Sequence, residues 1–210
     1  MVKLNDKVLS FISALPTSRA LGWNDMSILP HAWLESGGFE HVIGNYNVWG
    51  IKVPRRLPWQ GPIVYVQTTE FSRAEGDETP EQALPRLISM WGRPDIKILA
   101  GVKGMWKLGL QQGFIDFETQ SEAISWYCDF IKRLYPISFN ARNEPIKYFY
   151  GLIGNVPLET IIDGNPIERM VYQPGRLQYA TDPNYVQELI FCRNALQADE
   201  NLKKTLAAII

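Results

Sequence analysis

His31-Ala-Trp-Leu-Glu-Ser-Gly-Gly38, followed by Asn45-Tyr-Asn-Val-Trp-Gly-Ile-Lys52, decides how this chain folds. Ile28, Leu29, Ala32 and Trp33, with Ser36 closing the face, have the spacing of a helix buried on one side. At about 100° per residue, Glu35 falls a quarter-turn from the centre of that face, near its edge. Gly37-Gly38 is a C-terminal stop, so Glu35 belongs to the last helical turn. Asn47 to Val53 then follows as a short strand opening a hairpin. The negative end of the helix dipole disfavours an ionised glutamate by about 0.3–1 kcal/mol. Partial burial acts in the same direction. The sequence therefore predicts a carboxyl displaced toward its protonated form, as a general acid requires. The alternative is a surface glutamate at a helix end, and periodicity alone leaves both open.

The surroundings of that stretch are those of a soluble globular protein. Its 210 residues suit one domain, or one domain carrying insertions. With 21 basic against 22 acidic residues, charge offers no case for nucleic acid or an anionic membrane surface. Aromatic residues make up 12 %, including seven tryptophans; flat rings grip sugars, although most tryptophans serve cores. Cys128 and Cys192 form no disulfide framework, and both fall on or beside apolar helix faces, as buried free thiols would. No apolar run near the start fits a signal peptide, and none fits a membrane span. The expectation is a protein made in the cytoplasm, a trimmed one, or one that leaves by a route its own sequence does not encode.

Upstream, Leu4, Val8, Phe11, Ile12 and Leu15 predict a helix over residues 5 to 15, capped by Asn5 or Asp6 and ended by Pro16. The Glu35 helix spans about 25 to 36, with Pro30 tolerable only in its first turn. Downstream, Pro54 to Gly61 is a turn region. Ile63 to Phe71 is the clearest strand, and a period of two puts Val64, Val66, Thr68 and Glu70 on one face. Residues 72–113 look like an insertion. Thr79-Pro-Glu-Gln82 opens a helix there that turns Ala83, Leu84, Leu87 and Ile88 inward, with a kink at Pro85. Thr119-Gln-Ser-Glu122 starts a second capped helix, with Ile124, Tyr127, Cys128, Ile131 and Leu134 on one face. A short helix carries Tyr148, Phe149 and Leu152. Residues 154–175 are loop-rich, and Thr181-Asp182-Pro183 leads a final helix from Tyr185 to Leu196.

Two carboxylates in different surroundings, Glu35 and Glu70, suit glycoside hydrolysis: one protonates the leaving oxygen while the other activates water, attacks, or stabilises positive charge. A metal site built on His31, Glu35 and His41 competes, although a His–Glu pair one turn apart more commonly makes a simple hydrogen bond. Only two histidines are present, with no Gly-x-Ser-x-Gly elbow and no phosphate-binding glycine loop, which disfavours nucleophilic triads and nucleotide chemistry.

Leu34-Glu-Ser-Gly-Gly38, Asn47-Val-Trp-Gly-Ile-Lys52, Trp59-Gln-Gly61, Thr68-Thr-Glu70 and Tyr179-Ala-Thr-Asp-Pro-Asn-Tyr185 occur in an order that resembles glycoside hydrolase family 73. These are the N-acetylglucosaminidases of bacterial autolysins, flagellar wall hydrolases and phage lysins. The likeness covers about residues 20 to 71 and 114 to 196. Phe114-Ile-Asp-Phe117 resembles the family's Phe-Arg-x-Tyr segment without its arginine. The resemblance implies an α+β, lysozyme-like fold, mainly α-helical with a small β-hairpin lobe, as one catalytic domain over 1–210 with insertions at 72–113 and 154–175. It implies cleavage of the β-1,4 bond between N-acetylglucosamine and N-acetylmuramic acid in peptidoglycan. Glu35 matches the catalytic acid, Glu70 the second acidic residue and Tyr179 a tyrosine beside the cleaved bond; Tyr46, Asn47 and Trp49 fall where the family binds substrate. Purely structural roles for Tyr179, Tyr46 and Trp49, and helix capping for Asp182, are the alternatives. No cofactor and no metal are expected, and the partner is the glycan strand, met by a monomer without nucleic acid or membrane insertion. An N-acetylmuramidase, or a non-catalytic glycan-binding or structural virion protein, would fit the same residues. A phage origin would explain the absent signal peptide.

Overall fold

The computed structural model describes residues 3–53, 59–162, 165–172, 177–180, 182 and 184–209. It divides into two compact units, one formed by residues 1–50 with 117–210 and the other by 51–116. The turn expected at Pro54 to Gly61 lies partly outside the described residues, as do Thr181 and Pro183 of the final helix signal.

The first unit is helical: α1 (Asp6–Ala20), α2 (Asp25–Glu35), α4 (Gln120–Leu134), α5 (Pro136–Asn140), α6 (Pro145–Leu152), α7 (Tyr185–Ala198) and α8 (Glu200–Ala207), with α3 (Pro80–Trp91) in the second unit. Asn5 caps α1 by accepting from the Val8 amide. The helix does not stop at Pro16 as expected but carries it inside and continues to Ala20. Pro30 likewise sits beyond the first turn of α2, fully buried. Each proline removes one backbone hydrogen bond. Burial of Phe11, Ile12 and Leu15 on α1, and of Ile28, Leu29 and Ala32 on α2, outweighs that local cost. Gly37 and Gly38, at φ of 58° and 74°, end α2 as predicted, because only glycine enters the left-handed region without a steric penalty. Thr119 caps α4 through the Glu122 amide, and Glu122 reaches back to the amide of Glu118. Ile124, Tyr127, Cys128 and Ile131 are buried as expected, whereas Leu134 is exposed at the helix end. The stretch 154–175, expected as loop, contains β4 (Asn155–Ile162) paired antiparallel with β5 (Asn165–Tyr172).

The second unit is a three-stranded antiparallel sheet of order β1-β3-β2, formed by β1 (Ile63–Arg73), β2 (Lys97–Val102) and β3 (Met105–Ile115), with α3 (Pro80–Trp91). The α+β class is therefore as expected, but the small β portion is not a hairpin of 47–53 with β1. Among the described residues that segment makes isolated bridges, Ile43 with Asn47 and Lys52 with Phe114. The partner of β1 is β3, in a register that sets Glu70 opposite Leu108. Residues expected as added material thus supply the central strand. Lys103 and Gly104, both at positive φ, form the tight turn between β2 and β3. Gln82 closes the predicted capping box on the Thr79 amide, and α3 lays Ala83 and Leu87 against Ile96, Trp106, Leu108 and Leu110.

Candidate active site

Glu35 is the last residue of α2, and its side chain keeps 24 % of its surface exposed. The Tyr185 hydroxyl, at the start of α7, donates to Glu35 Oε1. The same hydroxyl lies 2.8 Å from His31 Nε2, while that nitrogen is 3.7 Å from Glu35 Oε1, beyond direct hydrogen-bond reach. His31 stands one turn before Glu35 on α2 and is completely buried. Its other nitrogen, Nδ1, faces the hydroxyls of Tyr127 on α4 and Tyr148 on α6, the latter at 3.0 Å, and those two hydroxyls also bond each other. Tyr179 sets its ring edge-to-face against His31 with centroids 4.6 Å apart. A carboxylate, an imidazole and four tyrosines from five segments therefore meet in one place.

The ionisation of Glu35 corrects the sequence expectation. Burial pushes its carboxyl up, but the N–H edge of the His31 imidazole that faces it and the hydroxyl of Tyr185 pull it down further, and the balance falls below the ordinary carboxylate range. The helix-end position predicted the opposite sign because it took no account of donors from other helices. Burial raises Tyr127, Tyr148, Tyr179 and Tyr185 above the usual phenol range, so all four remain protonated and able to donate at working pH.

The other expected site residues scatter. Trp49 is 3 % exposed, stacked at 3.9 Å on Tyr127 with its edge to Phe11, so its ring face is packed inside the unit instead of lining a groove. Asn47 is fully buried and bridges to Ile43 through its backbone. The short turns of 43–50 fold both side chains inward. Tyr46 is half-buried and lines a recess of about 220 Å³ with Asp6, Lys7, Phe39 and Gln120. Tyr179 is half-buried, with its amide bonded to the Leu152 carbonyl at 2.7 Å. Asp182 accepts from the Asn184 amide at 2.8 Å, a turn bond ahead of the helix; the N-cap of α7 is Asn184, so Asp182 is not the cap expected of it. Glu70 belongs to the sheet unit, on the face with Val64, Val66 and Thr68, and pairs with Lys52 Nζ at 2.6 Å.

Both His31 nitrogens are taken by tyrosine hydroxyls, which leaves no lone pair for a metal shared with Glu35. Among the described residues no group of three His, Cys, Asp or Glu side chains could hold a metal ion. Sequence reasoning missed Tyr127, Tyr148 and Tyr185 as a group. Their signal was present: three phenols on buried helix faces each require a hydrogen-bond partner, and α2 offers His31 and Glu35 one turn apart.

A helical unit together with a small antiparallel sheet makes an α+β, lysozyme-like fold. Among solved structures, the chain is similar to the glycoside hydrolase domain from Salmonella typhimurium FlgJ, at 21 % identity and a TM-score of 0.55, over 97 % of this chain and 94 % of that one. It is similar to the catalytic domain of the autolysin Auto from Listeria monocytogenes at 16 % identity and a TM-score of 0.55, over 98 % and 90 %. A peptidoglycan hydrolase mutant from Sphingomonas sp. A1 matches at 18 % identity and a TM-score of 0.54, over 95 % and 96 %. At such identities the likeness establishes the fold alone. No family model matches the sequence, and no curated protein does.

Proposed function

We propose that this protein is a peptidoglycan hydrolase in which Glu35 delivers a proton to the leaving glycosidic oxygen. The observation that carries the proposal is the placement of Glu35: at the end of α2, part-exposed, with one oxygen held by Tyr185 and a second oxygen not committed to that bond. Support also comes from the shared fold with domains described as glycoside or peptidoglycan hydrolases. Because its carboxyl lies below the ordinary range, Glu35 is mostly ionised at neutral pH. Its protonated form is a small population but a correspondingly strong acid. Donation cleaves the C–O bond, and the carboxylate that results is stabilised by the Tyr185 hydroxyl already aimed at it. Positive charge builds at the anomeric carbon, to be met by water or by the substrate's own acetamido group.

The ordered motifs that resemble glycoside hydrolase family 73 narrow the proposal to the bond following N-acetylglucosamine. Digestion of purified cell walls, reduction of the new ends and mass spectrometry test it. N-acetylglucosamine at the new reducing end is the expected product. N-acetylmuramic acid there would make the enzyme a muramidase, and walls bound but never cleaved would remove the catalytic assignment.

A further inference from the structure

We propose that His31 and Tyr185 are positioning residues that hold Glu35 through a one-directional chain of hydrogen bonds running from Tyr127 and Tyr148, through the imidazole, to the carboxylate. The proposal rests on Glu35 as the reacting carboxyl. Its direction follows from the donors. Tyr185 has one O–H and gives it to Glu35 Oε1, so toward His31 Nε2 it can only accept. That places a hydrogen on Nε2. Nδ1 then accepts from one of Tyr127 and Tyr148, whose oxygen in turn accepts from the other. Each O–H and N–H in the chain is used, and each points toward Glu35, with His31 in its single Nε2–H form. The reverse polarity would turn the Tyr185 hydroxyl toward Nε2 and leave the carboxylate without it.

The groups facing this chain are Glu35 on α2, Tyr127 on α4, Tyr148 on α6, Tyr185 on α7 and Tyr179 from segment 177–180, with Cys128 and Tyr135 next to Tyr148. Every one except Glu35 is neutral at working pH, since burial raises the phenols and the Cys128 thiol. No proton has to travel along the chain. Its role is to set dipoles before the reaction, so that the negative charge appearing on Glu35 meets donors that need not reorient. Trp49 closes the far end by stacking on Tyr127, which fixes that phenol from behind.

Imidazole nitrogen NMR on the wild-type protein is the primary test. Only His31 and His41 contribute, and His41→Gln identifies the other signal. A His31 ring with the hydrogen on Nε2 and a bare Nδ1 is expected; hydrogen on Nδ1, alone or on both nitrogens, overturns the chain. In the second arm, Tyr185→Phe keeps the ring and removes the hydroxyl. The Glu35 carboxyl carbon, identified by its loss in Glu35→Gln, should titrate about one pH unit higher, a tenfold weaker acid. The alkaline limb of the wall-lysis pH profile should move up with it. An unmoved carboxyl titration overturns the proposal. A moved titration with an unmoved rate profile supports the chain and instead refutes Glu35 as the proton donor.

Discussion

Glu35→Gln separates chemistry from folding most cleanly. The amide fills the volume of the carboxylate, and its oxygen can still accept from Tyr185, so the contacts among α2, α7 and His31 persist. A hydrogen bond to a charged group, worth about 1.5–3 kcal/mol, becomes a neutral one worth about 0.5–1.5 kcal/mol. Relief of the cost of burying a charge offsets part of that loss. The net change in stability should stay within about 1 kcal/mol, or about 2–4 °C in Tm for a chain of this size. The rate is a different matter. Loss of a positioned acid costs about 10²–10⁴-fold, equivalent to about 2.7–5.4 kcal/mol in the barrier. Clearance of purified walls by turbidity, with thermal melts on the same preparations, measures both. Lysis within tenfold of wild type by a variant whose Tm has not moved would refute the assignment. The variant also carries a pH signature. A depressed folded-state carboxyl contributes stability above its unfolded value, near 4.3, and that contribution is lost as pH falls through the folded value. Below about pH 4.3 the wild type should therefore lose stability more steeply than Glu35→Gln, in urea titrations stepped through pH.

Trp49→Ala should cost about 3–5 kcal/mol in urea unfolding, since it deletes a buried indole stacked on Tyr127; a loss under about 1 kcal/mol would show that the ring is not packed as described. Glu78, held by Arg86, the Glu75 amide and Trp106 Nε1, has its carboxyl lowered to about 2. Its contribution to the sheet unit is thus complete above about pH 4.3 and disappears as pH falls toward 2, followed by Trp106 fluorescence; Glu78→Gln should flatten that dependence. Burial pushes the Cys128 thiol up to about 12, so at pH 8 a thiol reagent should label Cys192 alone in the folded protein and both after denaturation. Rapid labelling of Cys128 would contradict its packing.

What the sequence by itself determined was local. The capping pairs Thr79/Gln82 and Thr119/Glu122, the Gly37-Gly38 stop after α2, and the alternation that sets Glu70 with Val64, Val66 and Thr68 each depend on neighbours a few residues apart. The ordered motifs around Glu35 and Tyr179 also pointed to the α+β, lysozyme-like class. Other features depended on partners distant in the chain. β1 pairs with β3 across α3 and β2, so the segment 47–53 lost the strand role its residues suggested. Pro16 and Pro30 remain inside helices because the core holds them there. The sign of the shift at Glu35 depends on Tyr185, 150 residues away, and on a histidine held by Tyr127 and Tyr148. A helix dipole follows from sequence position, but hydrogen bonds to a carboxylate act over about 3 Å of space, and only the packing of four helices brings those donors within that distance.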